Sequence, residues 1–454
     1  MSTTTEALTR QLFGTDGIRG IAGEPPLDPG TVFAFGRALG RWARGHALPS
    51  APPQVLIGID TRESGRWLAE TVASALAAEG VEPRFAGVIS TPGVARLTKT
   101  GPFVAGVMIS ASHNPYSDNG LKVFDHSGYK LPDATEWELE REIFTCLADG
   151  VTPQRQPLTP DPGLDEAYLE YLASTFSDRL HGQRIILDCG NGAAYQLGPE
   201  LFRRLGAEVE VMGCQPNGRN INDGCGALHI EGLRARVLDR RAHFGFAFDG
   251  DADRCLGVSA AGRVMDGDAI LLAAARSLRA AGRLSGAVVA TVMSNLGFEI
   301  ALQRDGIELL RTSVGDKYVL EEMVRRDLPL GGEQSGHIIF RDFATTGDGL
   351  LTALRLLDAE RSLNQPLDEL VADFVVYPQK LVNVRARAKR PLPELPTLTA
   401  AIAEAEAAMT GRGRVLVRWS GTEPLLRIMV EAASATDVEH WTAHLAETAR
   451  AALN

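Results

Sequence analysis

The stretch QVLIGIDTRESGRWLAETVASALAAEG, residues 54–80, decides the fold class. It begins with a short apolar, β-branched run, which predicts a buried strand, and continues with an Ala- and Leu-rich segment of helical length. Residues 184–213 and 287–315 repeat the pattern of strand, helix and strand. This alternation is typical of parallel sheets covered by helices on both faces. We therefore predict an α/β protein with three such units.

The last part of the chain has a different pattern. Two predicted helices and three predicted strands follow one another there without the regular alternation, which indicates an α+β module. A Pro-rich stretch at 152–163 and the segment near residue 375 are the candidate linkers. We predict four domains, three of mixed α/β type and a smaller C-terminal α+β domain, over residues 1–158, 159–259, 260–373 and 374–454.

Length, charge and cysteine content limit the class of protein. A chain of 454 residues with 44% hydrophobic content needs several cores. The net charge of -11 argues against a general affinity for nucleic acid or an anionic membrane, but a local basic pocket for a small anion stays compatible with it. No apolar segment has membrane-spanning length and the N-terminus has no signal-peptide pattern, so we expect a cytoplasmic protein. Five scattered cysteines without CxxC spacing indicate neither a disulfide framework nor a zinc site.

Three aspartates follow the predicted strand HFGFAF. Asp249, Asp251 and Asp253 occupy alternate positions of DGDADR, and carboxylates this close repel one another unless a cation lies among them. Oxygen ligands favour a hard divalent ion, Mg²⁺ above all. An EF-hand loop is excluded because its sixth and twelfth positions, Gly and an acidic residue, are Arg254 and Ala260 here. A solvated acidic turn is the weaker alternative, since no lysine lies close to the three acids in the chain.

The loop ISASHNPYSDNG, residues 109–120, has two interpretations. Small polar residues are typical of ordinary turns, but Ser112 could also be a reactive hydroxyl. In a phosphoryl-transfer reaction it could carry the phosphate covalently, with His113 beside it and Lys122 downstream as acid and base. A Ser/His/Asp hydrolase would require a G-x-S-x-G turn, which ASHNP does not supply.

Two further loops contain groups suited to a sugar phosphate. RWSGTEPLLR, residues 418–427, combines arginines, hydroxyls and backbone N–H groups that suit a small anion, although an exposed turn is about as good an interpretation by itself. In GGEQSGH, Glu333, Ser335 and His337 alternate and could face sugar hydroxyls. FGTDGIRG, residues 13–20, and GIDTRESG, residues 58–65, each fit a turn better than a site when taken alone.

These motifs, taken in order, resemble those of the α-D-phosphohexomutase superfamily. The resemblance rests on FGTDGIRG, ISASHNP, DGDADR, GGEQSGH and RWSGTEP and extends from about residue 13 to residue 431. NGRNINDGCG, TVMSNLG and the EQSGH form of the sugar loop are similar to the branch that acts on glucosamine phosphates.

The resemblance implies a fold and a reaction. The four domains would form a heart-shaped molecule with the active site in a central cleft. The reaction would interconvert glucosamine 6-phosphate and glucosamine 1-phosphate through a phosphoserine enzyme and a 1,6-bisphosphate, supplying UDP-N-acetylglucosamine and cell-wall precursors in a bacterium. A sibling mutase for glucose or mannose phosphates is one alternative. A non-catalytic sugar-phosphate sensor is another, disfavoured because a sensor has no use for a nucleophile.

The resemblance also implies roles for individual residues. Phosphorylation of Ser112 would be required for activity. One Mg²⁺ per site would be held by Asp249, Asp251, Asp253 and an oxygen of phosphorylated Ser112. The catalytic group would further include Lys122 as acid and base, His113, Arg19 and Arg254. Sugar hydroxyls would be bound by Glu333, Ser335 and His337. The phosphate distal to Ser112 would be bound by Arg418, Ser420, Gly421, Thr422 and Arg427.

Two positions depart from the pattern of that branch. Trp419 stands in the phosphate loop where a smaller or charged residue is expected, and Lys317 stands where Arg is more common, which replaces a bidentate fork by a point charge. A bisphosphate must turn around without escaping, so we expect the C-terminal module, joined near Tyr377 and Pro378, to act as a lid. The expected partners are small amino-sugar phosphates, with no nucleic acid and no membrane insertion, and a homodimer is compatible with the resemblance.

Overall fold

A computed structural model describes residues 11–47, 52–420 and 424–453. In chain order, the strands are β1 Phe13–Gly14, β2 Gly17–Ile21, β3 Gln54–Ile59, β4 Glu82–Val88, β5 Phe103–Ile109, β6 Asp118–Asp125, β7 Arg184–Asp188, β8 Glu208–Met212, β9 Phe244–Phe248, β10 Cys255–Ser259, β11 Val264–Met265, β12 Ala287–Thr291, β13 Glu308–Thr312, β14 Leu330–Gly332, β15 Ile338–Phe340, β16 Gln379–Arg385, β17 Gly413–Trp419 and β18 Leu425–Ala432.

The α-helices of the same residues are α1 Pro29–Gly45, α2 Gly65–Ala78, α3 Thr91–Thr100, α4 Asp133–Ala148, α5 Pro162–Ser174, α6 Ala194–Arg204, α7 Ile230–Arg240, α8 Gly267–Ala280, α9 Leu296–Arg304, α10 Asp316–Arg326, α11 Gly349–Leu363, α12 Leu367–Leu370, α13 Pro396–Ala408 and α14 Ala435–Leu453. Several begin at a side chain that accepts a backbone N–H, such as Asp28 before α1 and Asp266 before α8. Within the part of the chain that the structure covers, every helix is too short or too polar to cross a bilayer.

The strands form four sheets. The first has the order β1-β2-β6-β5-β3-β4, with β3 parallel to both β4 and β5. The second has the order β11-β10-β9-β7-β8, with β7 parallel to β8 and β9, and the third has the order β13-β12-β14-β15. The fourth, β16-β18-β17, is antiparallel throughout. Three mixed sheets with helical connections, together with one antiparallel sheet packed against helices, confirm the predicted fold class.

The described residues form two compact bodies. The first contains the described part of residues 1–292 together with 310–370. Its largest core lies around β3 and β5, where Val55, Ile57, Val107 and Ile109 are buried against α1 and α2, whose side chains include Phe35 and Leu68. A strand that is buried on both faces has apolar residues at consecutive positions. The run QVLIGI has this pattern and therefore predicts β3.

The second body contains residues 293–309 and the described part of 371–454. Its core lies between the antiparallel sheet and helices α13 and α14, with Leu426, Ile428 and Val430 of β18 fully buried. The start of α9 belongs to this body: the backbone N–H of Leu296 donates to Glu431 Oε1 at 3.0 Å, and Asn295 exchanges two hydrogen bonds with the backbone of Tyr377. The four domain boundaries given above stay a prediction.

Candidate active site

Ser112 lies in the loop between β5 and β6 with its backbone in the left-handed region, at φ 52°. A non-glycine residue there requires support from its surroundings. Its N–H donates to Ser110 Oγ at 3.0 Å, and its carbonyl oxygen accepts from Arg62 Nη2 at 3.2 Å and from Asn222 Nδ2 at 2.9 Å. Arg62 is itself fixed by a fully buried ion pair with Asp60 at 2.7 Å. The hydroxyl group is therefore presented by a rigid scaffold.

The acidic loop follows β9 and comes close to Ser112. Ser112 Oγ donates to Asp249 Oδ2 at 2.5 Å, and both side chains are buried. This approach depends on Gly250, because a Cβ at that position would lie 2.4 Å from the Ser112 carbonyl oxygen. The structure thus brings together the predicted nucleophile and the first predicted metal ligand.

Asp249, Asp251 and Asp253 fit a divalent cation. All three are buried, and one carboxylate oxygen from each lies within 4.8 Å of the others. Asp251 Oδ1 and Asp253 Oδ1 have no hydrogen-bond partner among the described residues, which is costly for a buried carboxylate. Burial raises the pKa of Asp249 well above its usual range, and the charges of Asp253 and Asp251 raise it further. An oxygen-only set under this repulsion favours a hard cation of the Mg²⁺ class.

Lys122 projects from β6 into the same acidic group. Its Nζ lies 2.8 Å from Asp251 Oδ2 and 3.1 Å from Asp16 Oδ2. Burial alone would lower the pKa of Lys122, but Asp16 and Asp251 raise it above its usual value. This lysine is far from the aspartates in the chain, so the spacing of the aspartates alone does not indicate that a cation already faces them. Lys122 is therefore held as a cation at the edge of the acidic group.

Two acids and a lysine extend this network and were missed at the level of sequence. Asp16 contacts Arg19 and receives a hydrogen bond from Lys130 Nζ at 2.5 Å. Lys130 also contacts Asp316 Oδ2 at 2.6 Å. Asp16 stands inside the quoted FGTDGIRG motif, so its position in a motif was the available signal. For Lys130 and Asp316 the sequence offers no comparable pattern.

His113 and Arg254 lie close to Ser112 and Asp249. His113 Nδ1 is 3.3 Å from Ser112 Oγ, and burial together with Arg254 and Arg19 lowers the pKa of His113 to about 4. The imidazole is neutral near pH 7 as a result. The Arg254 backbone N–H donates to Asp249 Oδ1 at 3.1 Å.

The GGEQSGH loop separates its three polar side chains. His337 is buried, with Nδ1 3.6 Å from Asp253 Oδ1 and Nε2 accepting the Gly347 N–H at 3.0 Å. Burial lowers the pKa of His337, but the carboxylates of Asp253 and Asp316 raise it above its usual value and so favour the charged ring. The Gly347 N–H opposes this, because only an unprotonated Nε2 accepts it, and the contact therefore requires the neutral ring with its proton on Nδ1. Glu333 Oε1 accepts from the backbone of Gly315 at 3.0 Å, whereas Ser335 is exposed.

The predicted phosphate-binding residues lie in the second body. Arg418 of β17 pairs in register with Arg427 of β18, so the two side chains share one face of the sheet. Burial and the neighbouring Arg427 lower the pKa of Arg418, and among the described residues neither guanidinium has a carboxylate within ion-pair distance. Ser420 Oγ is 3.5 Å from Arg427 Nη2. Two adjacent cations with no carboxylate partner in the described part of the chain suit an anion.

Two of the predicted phosphate-loop residues, Gly421 and Thr422, lie outside the described residues. Trp419, which departs from the expected pattern, packs against the core of the second body and donates from Nε1 to the Arg390 carbonyl at 2.7 Å, so its size serves packing. Lys317, the other departure, contacts Asp133 on the first body.

Two side chains that support the two central loops were also missed. Asn222 bonds the Ser112 carbonyl, and Thr91 Oγ1 donates to Asp251 Oδ2 at 2.6 Å. The Thr91 backbone N–H donates to the Asp251 carbonyl at 2.9 Å. Asn222 belongs to the quoted NGRNINDGCG segment, so a function for that segment could have been inferred. Thr91 opens helix α3 and carries no signal in the sequence alone.

Comparisons with known proteins agree with this geometry. Four family models described as phosphoglucomutase/phosphomannomutase match the chain: alpha/beta/alpha domain I over 10–148, domain II over 166–262, domain III over 266–377 and the C-terminal domain over 381–448. A phosphoglucosamine mutase of Solibacter usitatus is 59% identical over 98% of this chain and 99% of its own length. One from Koribacter versatilis is 49% identical over 98% of this chain and 97% of its own.

A solved structure shows the same fold. The phosphoglucomutase/phosphomannomutase family protein from Burkholderia thailandensis aligns with a TM-score of 0.78 over 96% of this chain and 97% of its own, at 23% identity. Together with the full-length relatives, these matches establish that the chain belongs to the phosphoglucomutase/phosphomannomutase family.

Proposed function

We propose that the protein is a phosphoglucosamine mutase, which interconverts glucosamine 6-phosphate and glucosamine 1-phosphate through a phosphorylated Ser112 and a 1,6-bisphosphate. The observation that carries the proposal is the 2.5 Å contact between Ser112 Oγ and Asp249 Oδ2 beside two further buried aspartates. Relatives that bear the name phosphoglucosamine mutase and match nearly the full chain support the choice of sugar.

Ser112 takes part in both transfers of the reaction. In the first, the bond from phosphorus to the Ser112 oxygen breaks as a sugar hydroxyl attacks, which forms the bisphosphate. In the second, the Ser112 oxygen attacks the other phosphate, and the sugar oxygen leaves. Splitting the exchange in this way replaces one difficult transfer by two easier ones. The fixed backbone around Ser112 keeps the oxygen in place for both steps.

Lys122 is the proposed carrier of the proton. The proton lost by the attacking sugar hydroxyl passes to the Lys122 amine and returns to the sugar oxygen that leaves in the second transfer. Because Asp16 and Asp251 raise the pKa of Lys122, the amine holds the proton firmly between the two transfers, and the first transfer starts from the minor neutral form of Lys122. The same catalytic group would also include Arg19, Arg254 and the neutral His113.

Asp249, Asp251 and Asp253 would hold one Mg²⁺, completed by an oxygen of phosphorylated Ser112. When bound, this ion supplies positive charge that offsets the negative charge of the transferring phosphoryl group. Thr91 and Lys122 keep the Asp251 carboxylate in position through Oδ2 and leave Oδ1 unpaired. The charge balance of the group therefore depends on the side chains that surround it as well as on the ion.

The remaining predicted contacts complete the proposal. Glu333, Ser335 and His337 are assigned to the sugar loop, and the buried position of His337 beside Asp253 gives it a positioning role toward the acidic group. Arg418, Ser420 and Arg427 are assigned to the phosphate that is not being transferred, with Gly421 and Thr422 completing that loop. We further propose that the enzyme is cytoplasmic and forms a homodimer. It would act on small amino-sugar phosphates and have no nucleic-acid partner.

The substrate assignment is tested by a side-by-side coupled assay with glucosamine, glucose and mannose 6-phosphates. We expect the highest kcat/KM with the glucosamine substrate. A wide preference for mannose 6-phosphate would overturn the choice of sugar while leaving the mutase chemistry intact.

The phosphoserine is tested separately with Ser112→Ala. We expect the variant to fold and to lose turnover, and its intact mass to lack the added phosphate that the wild-type chain carries. Ser117→Ala is the matched control, because Ser117 is exposed in the same loop. Wild-type turnover by Ser112→Ala would exclude the proposed intermediate.

A further inference from the structure

Two cysteines lie side by side at the ends of neighbouring strands in the second sheet. Cys189 follows β7 and Cys214 comes two residues after β8, and these strands are parallel neighbours. The Cys189 N–H donates to the Met212 carbonyl at 3.0 Å, and the Asn191 N–H donates to the Gly213 carbonyl at 2.6 Å. Strand pairing therefore holds the two cysteines side by side, and both are free thiols.

Cys214 is accessible and Cys189 is not. Cys214 is half-buried and lines a surface cleft of about 440 Å³, together with Tyr195, Val211 and Arg203. In its thiol form, Cys214 donates from Sγ to the Tyr195 carbonyl at 3.0 Å, and this hydrogen bond is lost when the thiolate forms. Cys189 is fully buried and does not line this cleft. A small reagent that enters the cleft can therefore reach the Cys214 thiol but not the Cys189 thiol.

The electrostatic surroundings favour reaction at Cys214. The neighbouring Cys189 thiol and the positive charge of Arg203 together lower the pKa of Cys214 to about 7, against the effect of burial. Cys225 is also half-buried, but burial and Asp188 raise its pKa to about 11. The thiolate is the reactive form of cysteine, so two thiols of similar exposure differ in reactivity.

We propose that Cys214 is an oxidation-sensitive thiol and Cys189 its resolving partner, so that the pair forms a reversible intramolecular disulfide. Hydrogen peroxide is the oxidant: the Cys214 thiolate attacks one peroxide oxygen, the O–O bond breaks, and the released hydroxide leaves as water after it takes up a proton. The resulting sulfenic acid is attacked by the Cys189 sulfur, which forms the S–S bond and releases a second water. A small dithiol reverses the reaction.

The disulfide would act on the residues that support Ser112 and the acidic loop. Gly190 O accepts the Asn222 N–H at 2.8 Å, and Asn222 Nδ2 bonds the Ser112 carbonyl. The Ala193 N–H donates to the Gly250 carbonyl at 2.8 Å. A new bond at Cys189 therefore pulls on a turn that contacts both loops. Because a small displacement of a nucleophile lowers its rate strongly, we expect about a tenfold lower kcat in the oxidised protein.

The first test uses the full-length wild-type protein and needs no variant. Under limiting alkylating reagent at pH 7, Cys214 should be labelled about tenfold faster than Cys225, as measured by peptide mass mapping. After treatment with hydrogen peroxide, the map should contain a peptide that joins residues 189 and 214, and dithiothreitol should remove it. Equal labelling of Cys214 and Cys225, or oxidation of Cys214 to a sulfinic acid without the linked peptide, would overturn the proposal.

Variants then test the effect on turnover. Cys214→Ser and Cys189→Ser should keep their kcat in peroxide, whereas Cys225→Ser should lose activity reversibly like the wild type. Circular dichroism before oxidation shows whether each variant is folded. An equal loss of kcat in Cys214→Ser and wild type would overturn the link to the active site. The labelling result does not depend on turnover, so its failure and a failure of the proposed mutase activity are distinguishable.

Discussion

Gly250→Ala should separate Ser112 from the acidic loop without removing any reactive group. The added Cβ would lie 2.4 Å from the Ser112 carbonyl oxygen, 2.8 Å from Ile221 Cδ1 and 2.9 Å from Asn222 Nδ2. Ordinary van der Waals contact begins at 3.4 Å. The two loops must therefore move apart by about 1 Å, and the Asn222 hydrogen bond to Ser112 is strained at the same time.

The expected effect is larger on the rate than on stability. A displacement of about 1 Å in a reacting group costs on the order of 100-fold in kcat. Overpacking of this kind costs about 1–3 kcal/mol of unfolding free energy, which a protein of this size tolerates. We therefore expect a folded enzyme with a KM near that of the wild type and a kcat about 100-fold lower.

The assay compares Gly250→Ala with Gly232→Ala. Gly232 lies in α7, where an added Cβ would meet only Met212 Cε at 3.7 Å, so this control should keep full turnover and gain a little stability. Steady-state kinetics with glucosamine 6-phosphate and thermal unfolding are measured for both. Wild-type kcat in Gly250→Ala would refute the reasoning, because it would mean that the distance between Ser112 and the acidic loop does not limit the reaction.

Three further predictions concern the acids and the arginine pair. Asp251→Asn should lower kcat by about 100-fold or more, and a chelator should inactivate the wild type, since the acidic group then lacks its cation; full activity in chelator would contradict a metal role. Arg427→Lys should raise KM about tenfold with little change in kcat, because lysine lacks the two-pronged guanidinium that binds a phosphate at two points. Arg412 is exposed and pairs with Asp437, so the control Arg412→Lys should leave KM unchanged. Burial raises the pKa of Asp348 to about 6, so the folded state binds a proton more readily than the unfolded state, and the contribution of Asp348 to stability falls as pH rises from about 4 through 6. Relative to Asp348→Asn, the wild type should lose about 3 kcal/mol of unfolding free energy over that range, and parallel pH profiles in urea titrations would contradict this.

The fold and the centre of the site were readable from local patterns. The apolar runs of β3, β7 and β12 predict strands because both faces of those strands are buried. The alternating aspartates after β9 predict a cation because their mutual repulsion depends only on short spacing along the chain. Ser112 is predicted as the nucleophile from its place in a motif, and its own backbone is left-handed, a conformation that needs support from the surrounding residues.

The supporting residues could not be predicted in the same way. Thr91, Asn222 and Asp16 come from separate connections, and periodicity does not say which connections meet at one edge of a sheet. The positions of His337 and Lys122 beside the acids depend on how strands from remote segments pair. Alternation in GGEQSGH suggested one shared face, but a turn within the loop directs His337 inward and leaves Ser335 exposed.

The left-handed backbone at Ser112 also restricts which alcohol can occupy the position. Threonine has the same hydroxyl chemistry, but its second Cβ substituent crowds the backbone in this conformation, where β-branched residues are genuine outliers. Serine has no such branch. The preference for a primary over a secondary alcohol therefore follows from the shape of the chain at this turn.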